Sequence, residues 1–139
     1  MEQSQENSTS AFQFHSKEME LTWQEDLDLL FFKPIGKHDE REARMFVDNY
    51  KKCCETLPLG KPVYILSDLS QSGGLGTKGR KVTIELFKHS QLAGMAIYNV
   101  NSFDRAVITF IMFAAGKRNV CSAFKTKEEA VAWVQSRRS

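Results

Sequence analysis

Apolar positions change their spacing several times along the chain, and each change marks an element. Phe12, Phe14, Met19, Leu21 and Trp23 fall at roughly alternate positions among polar residues, the period of a half-exposed strand or a pair of strands. Gln24-Glu25-Asp26 makes a turn. Leu27 to Phe32 is denser in apolar residues, as expected of a strand nearer a sheet centre, and Pro34 and Gly36 close it. A helical period then takes over. Ala43, Phe46, Val47, Tyr50, Cys53 or Cys54, and Leu57 form one stripe of a helix starting near Asp39. Asp39, Glu40 and Glu42 suit its positive end, Lys51 and Lys52 its negative end, and Pro58 and Gly60 stop it.

The centre of the chain, Pro62 to Ser90, reads as a buried strand, a polar glycine-rich loop and an amphipathic helix. Val63-Tyr64-Ile65-Leu66 is a short β-rich run. Helical spacing resumes only after Gly79, with Val82, Leu86 and Phe87 on one face. Ala93 to Val100 is a second buried strand, and Asn101-Ser102 supplies a turn and a helix cap. The helix that follows is unusual. Residues 106–115, AVITFIMFAA, are apolar almost all the way round, so this helix is either covered on most sides or presents apolar surface to something. Gly116 ends it, with Lys117 and Arg118 at its negative end.

Val120 to Phe124 is a short strand. Thr126 caps the last helix with Glu129 three residues on; Ala130, Trp133 and Val134 form its buried face, and Arg137-Arg138 finish it. The order β-β-α-β-α-β-α-β-α predicts an α/β fold with a mixed sheet, antiparallel strands at its N-terminal part and parallel strands after them. In such sheets ligands and switches sit beyond the carboxyl ends of the strands, here the loop after Leu66. Residues 1–11 are polar and aperiodic, and a disordered tail is expected there, with a single domain over 12–139.

Composition narrows the function. The 139 residues are 42% hydrophobic and 26% charged, which fits one globular domain with a real core. A net charge of +2 offers no broad basic field for nucleic acid. Three cysteines without a CxxC pair, and no signal-peptide pattern, predict reduced thiols in a cytoplasmic protein. No apolar run is long enough to span a membrane.

Candidate chemistry is sparse. Gly74-Leu75-Gly76-Thr77-Lys78-Gly79 matches the G-x-G-x-x-G pattern that cradles pyrophosphate. The loop before it is too long for the required tight turn, the position about 20 residues on offers Asn99 and Asn101 rather than an acid, and the sheet is too small for two nucleotide-binding halves. Chance explains the match. His15, His38 and His89 are scattered over separate elements, so no metal site is expected. Cys121 lies in an apolar strand where thiols are inert. Glu25, Asp26 and Asp28 read as a solvated turn. No spacing supports a catalytic triad or a Cys/His pair, and neither an enzyme nor a cofactor is expected. One physical oddity stands out: Lys78, Arg80 and Lys81 crowd a helix N-terminus, where cations oppose the dipole. A bound anion would relieve that conflict; solvent screening would also make it cheap.

Four local patterns carry a resemblance: EARMFVDNY in the first helix, VYILSDLS with its glycine-rich loop, the AGMAIYNVNSFDR turn, and the ending FKTKEEAVAWV. With the element order, they make residues 12–137 resemble the STAS-like family of the sporulation anti-sigma-factor antagonist type (SpoIIAA-like), especially its small stand-alone bacterial members. The resemblance implies a non-enzymatic regulatory or protein-interaction module. In antagonist members a serine or threonine beyond the central strand is phosphorylated by a partner kinase, within a pattern such as Asp-Ser-(Ser/Thr)-Gly-Leu-Gly. Here that stretch reads Gln71-Ser72-Gly73-Gly74-Leu75-Gly76, so Gly73 stands in the acceptor slot. Ser72, Ser70 and Thr77 are the candidate phosphoacceptors; the competing reading makes Thr77 a helix cap and the two serines turn residues.

Two functional readings follow. In the first, the loop and helix start over residues 68–81 form a docking surface for a protein partner. In the second, implied by the likeness of related stand-alone members to the sheet of CRAL-TRIO lipid-transfer domains, the chain binds a small apolar or lipid-like ligand. Phe110, Met112 and Phe113 would then contact its tail and Lys78, Arg80 and Lys81 its head. The competing account of the apolar helix is packing against the sheet plus a homodimer contact.

Overall fold

A computed structural model describes residues 12–138; the tail expected to be disordered, residues 1–11, lies outside them. The element order is β1 (Gln13–His15), β2 (Met19–Gln24), β3 (Leu29–Pro34), β4 (Gly36–His38), α1 (Glu40–Glu55), β5 (Val63–Asp68), β6 (Ser72–Leu75), α2 (Thr77–Phe87), β7 (Leu92–Tyr98), α3 (Ser102–Ala115), β8 (Cys121–Phe124) and α4 (Lys127–Arg138). A six-stranded sheet runs β1-β2-β3-β5-β7-β8. Its β1-β2 and β2-β3 pairs are antiparallel, and β3-β5, β5-β7 and β7-β8 are parallel. The alternating run before Gln24 is therefore a pair of strands, with Phe14 opposite Leu21.

Strand alternation sorts the side chains onto two faces. On β5, Val63 and Ile65 join Phe46 and Tyr50 of α1, Val82 and Leu86 of α2, and Ile111 of α3 in one core. Tyr64 and Leu66, pointing the other way, join Ala130 and Val134 of α4 in a second. The α1 stripe is buried as its spacing predicts, and Tyr50 is wholly enclosed. Each large side chain buried here contributes roughly 1.5–3 kcal/mol, and Phe46 stacks on Phe32 of β3 with ring centroids 3.9 Å apart.

Helix ends follow the local chemistry. The Asn101 side chain accepts from the Asp104 N–H at 2.8 Å, Thr126 Oγ1 accepts from the Glu129 N–H at 3.2 Å, and Gly116 closes α3 in the left-handed region at φ +71°. The last helix is also latched. Arg138 donates to the backbone carbonyls of Leu27 and Asp28 in the β2-β3 turn, and its guanidinium lies 5.1 Å from the centre of the Tyr64 ring.

The structure corrects the central loop. Residues 72–75 are not irregular: β6 pairs in parallel with β4 in a separate two-stranded sheet, Gly36 opposite Ser72 and His38 opposite Leu75. Each strand is short and carries no alternation, so neither has a signature of its own. The helix after them begins at Thr77 and ends at Phe87, earlier at both ends than its apolar spacing suggests.

Candidate functional site

The segment from Asp68 to Lys81 leaves the carboxyl end of β5, a central strand of the sheet. Asp68 Oδ1 organises its start, accepting from the Ser70 N–H at 2.9 Å and from the Asn99 side-chain amide at 3.1 Å. Burial pushes the Asp68 carboxyl up, but these hydrogen bonds outweigh it and hold the group below the usual carboxylate range. Ser70 is exposed. The Ser72 hydroxyl is half-buried and accepts from the Gly74 N–H at 3.2 Å. Gly73 is packed against backbone: a β-carbon there would lie 2.9 Å from Gly36 C and Lys37 N.

Thr77 is the first residue of α2 and not its cap, which is Gly76. The capping function comes from outside the helix. Asp39 Oδ1, 40 residues earlier in the chain, accepts from the Gly79 N–H at 2.9 Å. The same residue caps α1, where its N–H donates to Glu42 Oε1 at 2.9 Å. Gly76 has no room for a side chain, because a β-carbon there would come within 2.6 Å of the Asp39 carboxylate. An internal anion thus sits at the helix end where pyrophosphate would lie in a dinucleotide fold. Of the cations placed there by sequence, Lys78 and Lys81 are exposed. Arg80 turns back, donating through Nε to the Leu75 carbonyl at 3.0 Å, with its guanidinium 5.9 Å from the centre of the Phe103 ring.

That ring belongs to an exposed stripe. Phe103, Phe110 and Phe113 are 66%, 58% and 77% exposed. With exposed Ala106 they fall at i, i+3, i+7 and i+10 along α3, the spacing of one helix face. Ile111 and Ala115 are buried on the opposite face, and Met112 is half-buried against the core. The three α3 residues singled out from sequence therefore divide: Phe110 and Phe113 face outward and Met112 does not. Phe103 stands outside the apolar run 106–115, but its place seven residues before Phe110 puts it on the same helix face.

Beneath α3 and β6 is a cavity of about 100 Å³. Phe32, Ser67, Met95 and Ile97 line it from the main sheet, Phe46, Phe87 and Ile111 from the helices, Leu69 from the loop and Leu75 from β6. Ser67 follows Val63 and Ile65 on the same face of β5. It is 1% exposed, and its Oγ is, among the described residues, the sole buried side-chain nitrogen or oxygen without a hydrogen-bond partner. The buried imidazole of His38 also lines the space, while its Nε2 donates to the Glu18 carbonyl at 2.8 Å.

The remaining sequence candidates are dispersed. His89 Nδ1 lies 3.1 Å from the Tyr50 hydroxyl. Cys53, Cys54 and Cys121 are buried without disulfides, and burial pushes the Cys53 and Cys121 thiols up to about 12. Asp28 pairs with Lys61 at 3.2 Å. Among the described residues no group of three or more His, Cys, Asp or Glu could hold a metal ion, and no helix is long and apolar enough to cross a membrane.

No protein-family model matches the sequence, and no curated protein is significantly similar to it. Solved structures do match. One is an uncharacterised protein of the DUF3478 family with a SpoIIAA-like fold from Shewanella loihica PV-4, at 16% identity and a TM-score of 0.60, covering 83% of this chain and 90% of that one. Another is the anti-sigma factor antagonist SpoIIAA in its unphosphorylated form, at 11% identity and a TM-score of 0.54, covering 91% of this chain and 98% of that one. Antiparallel strands leading into a parallel β3-β5-β7-β8 run, with helices on both faces, place this chain in the SpoIIAA-like fold.

Proposed function

We propose that this chain is a non-enzymatic regulatory module of STAS type that docks a protein partner through α3 and the adjoining 68–81 segment. The observation that carries this reading is the exposed Phe103-Ala106-Phe110-Phe113 stripe. Large aromatic rings aligned at helical spacing in water are a surface built to be covered. The Arg80-Phe103 contact joins the stripe to the loop, so both form one surface. Arg80 sits at its N-terminal end beside Phe103, exposed Arg105 lies on the same helix, and exposed Lys117 and Arg118 follow its C-terminal end. The partner is thus an apolar groove or helix rimmed by acidic residues.

Phosphorylation within the loop would act on this surface by adding negative charge where an acidic rim has to approach. Ser70 and Thr77 are the accessible acceptors, and Ser72 is the less accessible one because its hydroxyl is tied to Gly74. The likeness of the fold to SpoIIAA supports a regulatory role without specifying the partner.

The test is site-specific photocrosslinking in the native host, with a photoreactive phenylalanine analogue at position 110 and a control at position 137 on α4. A partner crosslinked at 110 and absent at 137 is the expected result. Crosslinks only to a second copy of the chain would replace the partner with a homodimer, and no crosslink at 110 would overturn the docking reading. Intact-mass measurement of the same protein tests the modification, which requires a phosphate mapped to Ser70, Ser72 or Thr77.

A further inference from the structure

We infer that the cavity under α3 is a binding site for a small aliphatic molecule carrying one hydrogen-bonding oxygen, with Ser67 as the residue that recognises that oxygen. This inference does not rest on the docking reading: it is argued from the inner face of α3, although the cavity opens within the surface proposed for docking. A buried hydroxyl without a partner forfeits the hydrogen bonds it had in water, and folded chains avoid that loss almost everywhere. Here it occurs at the place where the core is also incompletely filled, and the side chain of Ser67 lines that space. Valine or alanine would satisfy the strand, the packing and the alternation equally well. A serine at this point has a use if something enters and pairs with it.

Size and lining define the ligand class. A cavity of about 150 Å³ lined by apolar side chains holds the six carbons of benzene, so about 100 Å³ takes roughly four non-hydrogen atoms, about three carbons and the oxygen. Phe32, Phe46, Met95, Ile97 and Ile111 give it apolar walls. The half-exposed lining residues lie on the stretch from Leu69 to Leu75, on α2 at Thr83 and on α3 from Asp104 to Ile108, which sets the mouth among these three segments. The oxygen end of the ligand goes inward to Ser67, and any longer tail leaves through that mouth.

The experiment is an amide-shift titration of the full chain with 1-pentanol and, separately, with 1-chloropentane, which has the same chain without a hydroxyl. The expected result is saturable shifts at Ser67, Ile97 and Ile111 with 1-pentanol. Ser67→Ala should weaken 1-pentanol about fivefold, the worth of one net hydrogen bond, while leaving 1-chloropentane unchanged. Ile111→Phe, which fills the space from the opposite wall, should abolish both. Shifts confined to the outer face of α3, equal 1-pentanol affinity for wild type and Ser67→Ala, or a space holding ordered water that no alcohol displaces would each overturn the inference.

Discussion

The carboxylate of Asp39 accepts a hydrogen bond from the Gly79 N–H at 2.9 Å, so one residue serves the N-termini of both α1 and α2. An N-cap side chain normally reaches the third amide of its own helix. In α2 the cap is glycine, and an acceptor from a distant part of the chain takes that place. It also ties the start of α2 to the start of α1. Asp39→Ala is expected to cost about 1–2 kcal/mol, read as a lower denaturant midpoint in urea. Asp39→Asn, which keeps an acceptor oxygen, should cost less. Hydrogen exchange should quicken first at amides 77–80. Equal midpoints for wild type and Asp39→Ala would show that the bond contributes nothing.

Restoring a hydroxyl to the slot that Gly73 occupies should not create a switch. The β-carbon of Gly73→Ser would press on the backbone of Gly36 and Lys37, and backbone cannot rotate away. Overpacking of this kind costs roughly 1–3 kcal/mol, while Ser70→Ala on the exposed neighbour should stay within about 0.5 kcal/mol. Thermal unfolding of both variants decides the point, and a Gly73→Ser protein as stable as wild type would mean that β4 and β6 part easily.

Phe110→Glu and Phe113→Glu separate docking from folding. Both rings lie mostly in solvent, so stability should change by no more than about 0.5 kcal/mol. Sedimentation should meanwhile show loss of any complex formed through α3. A large fall in stability would mean that the outer stripe is structural.

The thiols should be silent in the folded chain. Burial pushes the Cys53 and Cys121 thiols up to about 12, far above neutral pH, and raises Cys54 as well. A disulfide reagent at pH 8 is expected to modify none of the three quickly until denaturant is added. Rapid labelling of one thiol in the native protein would identify a local opening.

Asp68 gives the loop an acid-side pH dependence. Its carboxyl lies below the ordinary value of 3.8 in the folded chain, so the unfolded chain takes up the proton first. Its contribution is complete above the ordinary value and is lost as pH falls through that value to the lower native one. Asp68→Asn should therefore be less stable than wild type at neutral pH, with the gap closing below about pH 4. A gap that stays constant down to pH 2 would contradict this.

What the sequence determined by itself was whatever has a local period or a local cap. The α1 stripe from Ala43 to Cys53, the buried runs of β5 and β7, the Asn101 and Thr126 caps and the Gly116 stop were readable because each depends on neighbours a few residues away. Element order then restricted the topology, since a strand, a helix and a parallel strand can be joined in few ways. The tertiary structure decided the rest. The β4-β6 pair and the Asp39-Gly79 bond join residues dozens of positions apart, and no spacing encodes such a meeting. The greasy character of α3 was visible, but which rings face water depends on where the sheet lies beneath it. Ser67 was one polar residue at the end of a strand until packing closed around it and left its hydroxyl without a partner.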